Sequence, residues 1–388
     1  MKNSNNPDRK SLGFPKVTLY STSESGYASM FFGGLQDLSQ KGRLRLSYAH
    51  NSALRLPREL EHCALWIKIE WQETAGIASK LLFIDLQDDA AFPSLELMRA
   101  SDLYCKRSFE PESIAKLPLD QQSKVLRAPL SYPVRGKHQT VYPRILRALL
   151  ASDWKSTPFR SVRRTLLAPW RELPFSNLMG LNQLPPRVTD LEQNPTREVQ
   201  KGVYFRTRLY DLSATNDEVV RQKLSLLNDS RIELIRTLRE ALGSAAFAGL
   251  YPNSGSAKHC PELVIDLPPG YADADGHLRY SRQFLVNVNS VGVAESNGWK
   301  IAEILAAGTC LVTEALAHET INPLQSGVHM EEFATAAECV EKCKQLLEDP
   351  ARAAQLRVAG HKYFQDKLRP ENAVAELLQE AYRTNRKN

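Results

Sequence analysis

Two kinds of apolar pattern alternate along the chain. KVTLYST (16–22), RLRLSYAH (43–50), ALWIKIEW (64–71), KLLFIDLQD (80–88) and DLYCKRS (102–108) are short runs rich in Leu, Ile, Val, Phe and Tyr. Their length and composition predict strands. The small-residue loop SESGYAS leads from the first of them into a helix around residues 30–38, and helical or polar stretches separate the others. Strands alternating with helices predict a mostly parallel sheet covered on both faces, and APLSYPV (128–134) closes the unit. A second series opens with the strand KGVYFRTRL (201–209), followed by a long helix over 216–242. AAFAGLY (245–251), ELVIDL (262–267) and FLVNVNSVG (284–292) read as further strands. The helix NGWKIAEILAAG (297–308), the strand TCLVTE (309–314) and helices over 336–349, 351–368 and 371–382 complete the chain. The fold class is therefore α/β, with two α/β halves at 1–150 and 196–368. A proline-broken linker, partly helical and basic, spans 151–195, and a last helix over 369–388 packs back on the first half.

Length and composition agree with this division. A chain of 388 residues suits two domains, and 43% hydrophobic with 24% charged residues is the balance of an ordinary soluble enzyme, not of a disordered or collagen-like chain. No window approaches eighteen consecutive apolar residues, so no spanning helix is expected, and the polar start MKNSNNPDRK carries no secretory signal. Cys63, Cys105, Cys260, Cys310, Cys339 and Cys343 form no CxxC pair and are expected to be reduced in a cytoplasmic chain. A net charge of +6 fits a phosphate-bearing ligand or an anionic membrane surface and is too small to imply nucleic acid. The basic residues concentrate in Arg135, Lys137, Arg144, Arg147, Lys155, Arg160, Arg163, Arg164 and Arg171, against Asp153 alone. That segment reads as a solvated surface or as a contact with anionic lipid beside a membrane acceptor. Trp154, Phe159 and Trp170 are interleaved, but no recognised nucleic-acid module accompanies them, so nucleic acid is not expected as a partner.

Residues 284–314 carry the most chemistry. The strand runs into Ser290, Val291 and Gly292, the chain turns through Ala294 and Glu295, and Ser296 or Asn297 is a suitable helix N-cap. Gly308 then stops the helix. The loop lies at the carboxyl end of a strand, where open α/β sheets bind ligands, and the helix start offers N–H groups to a phosphate or a sugar oxygen. The helix is apolar nearly all round except for Lys300 and Glu303, whose spacing puts them on one face. Two charges on a buried helix either pair with each other or line a polar ligand cleft.

The run E-SNGWKIA-E-ILAAG-TCLV, with Glu295 and Glu303 separated by seven residues, resembles the EX7E segment of GT-B glycosyltransferases of the group 1 and exostosin-like branches. GVHMEEFATAAECVEKCKQLLEDPARAAQLRVAGHKYF resembles the tail of the same domain, and DLYCKRSF resembles a segment found in some N-terminal halves. The resemblance implies a GT-B fold, two Rossmann-like domains facing each other across a cleft, with an acceptor domain at 1–150 and a nucleotide-sugar domain at 196–368. Glu303 would hold the ribose hydroxyls and Glu295 the transferred sugar, although Ser296 and Asn297 stand where Gly-Phe is commoner. Arg206 and Arg208, alternating on their strand, would meet the diphosphate together with Lys300, and Ser296, Asn297 and Gly298 would complete the donor site. No metal or separate cofactor is implied, because these cations stabilise the leaving phosphates. Asp88–Asp89 and Asp273–Ala274–Asp275 read as polar loops rather than metal sites. His62, His138, His259, His277, His318, His329 and His361 share no ligand spacing.

The acceptor would meet Ser23, Glu24, Ser25, Gly26, Asp85, Asp88, Lys106 and Arg107, with Asp85, Asp88, Glu24 and His50 as candidate bases and Asp85 put forward as catalytic. The implied activity is retaining transfer from a nucleotide-sugar to a glycan or lipid-linked acceptor in polysaccharide biosynthesis. Its place would be the cytoplasm, with peripheral contact on the inner membrane face. The alternatives are a non-catalytic binding or scaffold protein and a sugar phosphorylase or epimerase, all on the same fold.

Overall fold

The computed structural model describes residues 14–20, 26–49, 51, 54, 56–57, 60, 63–73, 76–137, 185–271 and 275–387. The chain divides into two compact units. One comprises Met1–Val188 with Arg369–Asn388, and the other Thr189–Leu368.

The first unit is organised by a hairpin. β3 (Ala64–Glu73) and β4 (Gly76–Asp85) keep one antiparallel register from Ala64 opposite Asp85 to Glu73 opposite Gly76. A link this short permits only antiparallel neighbours. β1 (Lys16–Leu19) lies antiparallel to β3 and parallel to β2 (Arg45–Tyr48), while β5 (Leu103–Lys106) and β6 (Val125–Arg127) follow β4 in parallel. In the order β2-β1-β3-β4-β5-β6, five strands run one way and β3 alone is reversed. The expectation of a mostly parallel sheet holds, with β3 as its one reversed strand. A core of Trp66, Phe83, Met98 and Tyr104 packs beside the hairpin, with Trp66 and Phe83 rings 4.7 Å apart. The helix Pro370–Lys387 packs on the helix Ala28–Gln40. Gly34 allows the approach: a Cβ there would stand 2.2 Å from the Pro370 carbonyl oxygen.

The second unit is wholly parallel. β7 (Gln200–Thr207), β8 (Ala246–Leu250), β9 (Phe284–Asn289), β10 (Cys310–Glu314) and β11 (Glu331–Phe333) lie in the order β11-β10-β9-β7-β8. From β7 the chain crosses to β8 on one side and returns to β9 on the other. The switch point lies between β7 and β9, and a crevice for ligand opens beyond the carboxyl ends of such strands. Alternation divides the sheet faces. Val203, Phe205, Val286, Val288, Cys310 and Val312 join the core built with the helices Glu218–Leu242 and Ala336–Glu348. The intervening positions Tyr204, Arg206, Asn287, Asn289 and Thr313 are buried as well, and four of these five are strongly polar. Asn287 donates to Thr309 Oγ1 at 3.1 Å and Asn289 to Thr313 Oγ1 at 3.0 Å, which meets the cost of burying amides. The helix Lys300–Ala306 lies against β9 and β10.

The α/β class holds in each unit, with one expected strand missing and two short strands, β6 and β11, added. Residues 262–267 form no strand: Pro261–Leu263 is a tight 3-10 turn, followed by a single bridge from Val264 to Leu250. Pro261, lacking an N–H, opens that turn. Of the basic segment, Arg135 and Lys137 are described, whereas Arg144 to Arg171, with Trp154, Phe159 and Trp170, lie outside the described residues, as do Ser23, Glu24, Ser25, His50, His62, His138 and Asp273. Among the described residues no helix is long and apolar enough to cross a membrane.

Candidate functional site

The loop leaving β9 is clamped from three directions. The Val291 N–H donates to Glu314 Oε2 at 2.6 Å, and Arg231 Nη2 donates to the Val291 carbonyl at 2.9 Å. His318 Nε2 meets the Ala294 carbonyl at 3.1 Å, and Asn297 Nδ2 donates to the His318 carbonyl at 2.8 Å. Inside the loop, the Gly292 N–H bonds the Ser296 carbonyl at 2.9 Å. Ser296 Oγ lies over Gly292, where a Cβ would come within 2.3 Å of it. Two consecutive non-glycine residues, Ala294 and Glu295, hold φ of +54° and +57°. Left-handed backbone costs an L-residue about 1–2 kcal/mol, and such strain persists only where the surroundings enforce it. The Glu295 side chain is exposed and makes no hydrogen bond or ion pair among the described residues.

This clamp changes the expected helix start. The helix begins at Lys300, with Trp299 preceding it and no side-chain cap. Ser296 and Asn297 are turned inward to hold the loop and do not cap the helix. Gly298 sits against Asn289, whose Oδ1 would lie 2.8 Å from a Cβ. Gly308, with φ of +61°, ends the helix as the sequence indicates.

Four cations gather around the carboxyl ends of β7 and β9. Lys300 Nζ donates to the Arg206 carbonyl at 2.5 Å and stands 5.3 Å from the Tyr251 ring centre. The Arg206 guanidinium is 4.3 Å from the same ring and donates to the Ile265 carbonyl at 2.7 Å. Arg208 lies past the end of β7 and is exposed, near the Tyr210 ring. The expectation that Arg206 and Arg208 share a strand face is therefore corrected: the strand ends at Thr207, and alternation does not carry over to Arg208. Arg206 is only 5% exposed and its guanidinium is committed to protein. Arg231, from the helix Glu218–Leu242, donates to the carbonyls of Arg208 at 2.8 Å and Val291 at 2.9 Å. It thereby staples the two strand ends that bound the switch point.

Lys300 and Glu303 share a helix face without forming a contact ion pair or a hydrogen bond to each other. Burial pushes the Lys300 ammonium down to about 8, against the pull of Glu303; Arg231, Arg206 and Arg208 push the same way as burial. Burial raises the Glu303 carboxyl to about 7, against the opposing influence of Lys300 and Arg282. Desolvation thus outweighs the attraction within the pair. The Glu303 carboxylate makes no hydrogen bond among the described residues, and Lys300 has used one of three N–H groups.

Asp85 has a different environment. Asp85 and Lys106 are both fully buried, and Asp85 Oδ2 accepts from Lys106 Nζ at 2.8 Å and from the Tyr104 hydroxyl at 2.7 Å. Its Oδ1 accepts from the Gln87 N–H at 3.0 Å. Lys106 also donates to the Ala91 carbonyl at 2.7 Å. The expectation that Asp85 is catalytic is corrected on this ground: it anchors the 86–91 loop and reaches no surface. Nearby, Arg107 pairs with Asp88 and stacks 3.9 Å from the Tyr27 ring centre.

Sequence reasoning passed over Arg231, Tyr251 and Glu314, and took His318 only as an unsuited metal ligand. One signal was present. Asn228 and Arg231 occupy the same helical stripe as the buried Leu234, Ile235 and Leu238, and polar residues on a core face need partners.

Residues 266–379 match the family model described as glycosyl transferase-like. None of the curated proteins is similar enough in sequence to count as a match. Among solved structures, sucrose-phosphate synthase from Thermosynechococcus elongatus aligns at 12% identity over 92% of each chain, with a TM-score of 0.35. Anabaena HepE, solved with UDP and glucose, aligns at 9% identity over 93% of this chain and 98% of that one, with a TM-score of 0.34. TarM aligns at 10% identity over 84% of this chain and 72% of its own, with a TM-score of 0.33. The likeness to the glycosyl transferase-like family is thus carried by residues 266–379.

Proposed function

We propose that the second unit binds a nucleotide-sugar and that the chain transfers its sugar to a hydroxyl acceptor. The observation that carries this reading is Glu303, a part-buried carboxylate with no hydrogen bond among the described residues, set on one helix face with a lysine that reaches the carboxyl end of β7. An ionised carboxylate accepts hydrogen bonds from a pair of ribose hydroxyls. Lys300 and Arg208 meet the diphosphate, with Arg206 and Arg231 adding positive potential from buried positions. Glu295, exposed on its enforced turn, faces the transferred sugar. As the bond from the anomeric carbon to the diphosphate oxygen breaks, negative charge grows on the leaving group, and fixed cations stabilise it. The reading includes metal independence and retention of anomeric configuration, the latter carried by the EX7E resemblance.

A thermal-shift screen against UDP, GDP, CMP and dTDP and their sugars tests donor binding, since a ligand of the folded state raises the melting temperature by mass action. A donor hit followed by nucleotide release is the expected outcome. No shift with any of them would remove the reading. The proposed glycan or lipid-linked acceptor rests on the resemblance, and peripheral contact through residues 135–171 rests on their charge pattern. Co-sedimentation with anionic vesicles tests the second, and product anomer analysis by NMR tests retention.

A further inference from the structure

The left-handed turn at Ala294–Glu295 is the one place in the described residues where two adjacent non-glycine residues have positive φ. It carries the carboxylate assigned above to the transferred sugar. The contact that holds this turn at its strained residue comes from His318, which lies beyond β10 and far from the turn in sequence. His318 is 6% exposed, and its Nε2 meets the Ala294 carbonyl at 3.1 Å. A carbonyl can only accept, so Nε2 carries the hydrogen. Nδ1 is buried with no hydrogen-bond partner among the described residues. The His318 carbonyl is in turn held by Asn297 Nδ2 at 2.8 Å. His318 therefore grips the turn on both sides of Glu295, through its ring at Ala294 and through its backbone at Asn297.

We propose that His318 is a positioning residue for sugar transfer: its ring N–H locks the Ala294–Glu295 turn in the left-handed form that presents the Glu295 carboxylate to the transferred sugar. The inference rests on the proposed nucleotide-sugar reading. Without the ring N–H, the Ala294 carbonyl loses its partner and the backbone relaxes toward negative φ, carrying Glu295 away. Nucleotide binding, centred on Glu303 and Lys300, does not pass through this contact.

Two isosteres separate positioning from bulk stability. In His318→Gln, the amide nitrogen falls near the place of Nε2 and can donate to Ala294. In His318→Asn, it falls near Nδ1 and cannot. The expected result is a kcat for nucleotide release about 10- to 100-fold lower in H318N, with nucleoside-diphosphate affinity within about twofold of the parent, since the loss lies outside ground-state binding. H318Q recovers most of the rate. Amide hydrogen exchange at Gly292 and Ser296, whose N–H groups bond within the loop, should accelerate in H318N and not in H318Q. Equal rates in H318N, H318Q and the parent would overturn the assignment, as would a loss in H318N confined to nucleotide affinity. Failure of the underlying reading has its own mark: a parent chain that releases nucleotide from none of the donors, which would take the inference with it.

Discussion

Each unit places a lysine and a carboxylate beside the carboxyl ends of its parallel strands, and the two pairs are opposites. In the first unit Asp85 and Lys106 touch at 2.8 Å and are fully buried; Asp85 accepts further bonds from Tyr104 and Gln87, and Lys106 donates another to the Ala91 carbonyl. In the second unit Lys300 and Glu303 are part-buried, are not in contact, and leave the Glu303 carboxylate without a hydrogen bond among the described residues. A charge pair whose partners are complete is a fastener. A pair paying desolvation without completing its bonds is kept by something other than stability, and a ligand that supplies hydroxyls and phosphates would complete it.

The sharpest way to break that comparison is to remove each lysine. Lys106→Met leaves Asp85 as a buried charge with its main partner gone and is expected to cost about 3–5 kcal/mol of unfolding free energy. Lys300→Met removes a desolvated ammonium among three arginines and is expected to change stability by under about 1 kcal/mol. Urea unfolding followed by circular dichroism would measure both. A costly Lys300→Met beside a harmless Lys106→Met would reverse the assignment of fastener and site.

Next in size is Glu303. Hydrogen bonds to a charged group contribute about 1.5–3 kcal/mol. Glu303→Ala should therefore weaken nucleoside-diphosphate binding roughly 10- to 100-fold by isothermal titration, with the melting temperature of the free protein unchanged or raised. A melting temperature lowered by several degrees would make Glu303 structural after all.

The comparison also explains what the sequence could reveal. Glu303 and Lys300 stand out because they interrupt an otherwise apolar helix, and Gly308 marks its end by the left-handed backbone it adopts. The helix start was misplaced because Ser296 and Asn297 satisfy a capping pattern, while their actual partners, the Gly292 N–H and the His318 carbonyl, depend on the folded loop. Composition could not distinguish Asp85 from Glu303. Both follow apolar runs, and only the arrival of Tyr104 and Lys106 from the next strand makes one of them complete. The reversal of β3 was within reach, because the apolar runs at 64–71 and 80–88 are separated by too little chain for a crossover.

A smaller effect separates Arg206 from Arg208. Arg206→Ala strips the Ile265 carbonyl of its donor and uncovers Tyr251, which should cost about 1–3 kcal/mol of stability. Arg208→Ala, at an exposed position, should leave stability within about 0.5 kcal/mol and weaken diphosphate binding most at low salt. Equal stabilities for the two variants would contradict the burial difference.

The smallest effect is a pH window. Glu303 ionises near 7 in the folded chain, above its ordinary value of 4.5, so the folded state holds that proton longer than the unfolded state. Its contribution to stability is complete below pH 4.5 and declines as pH rises toward 7. Lys300 loses its proton near 8, below its ordinary 10.5, so its unfavourable charge is present below pH 8 and is relieved as pH rises toward 10.5. Binding runs the other way, since hydroxyls need the carboxylate and the diphosphate needs the ammonium. Affinity for a nucleoside diphosphate should peak between about pH 7 and pH 8, where the free site is most strained, and fall on either side by at most about tenfold per pH unit. Titrations from pH 6 to 9.5 would show the maximum in the parent chain. Glu303→Gln should flatten the acidic limb alone and Lys300→Met the basic limb alone. An affinity that rises steadily across the whole range would mean that Lys300 does not meet the phosphates, leaving the exposed Arg208 as the group in contact with them.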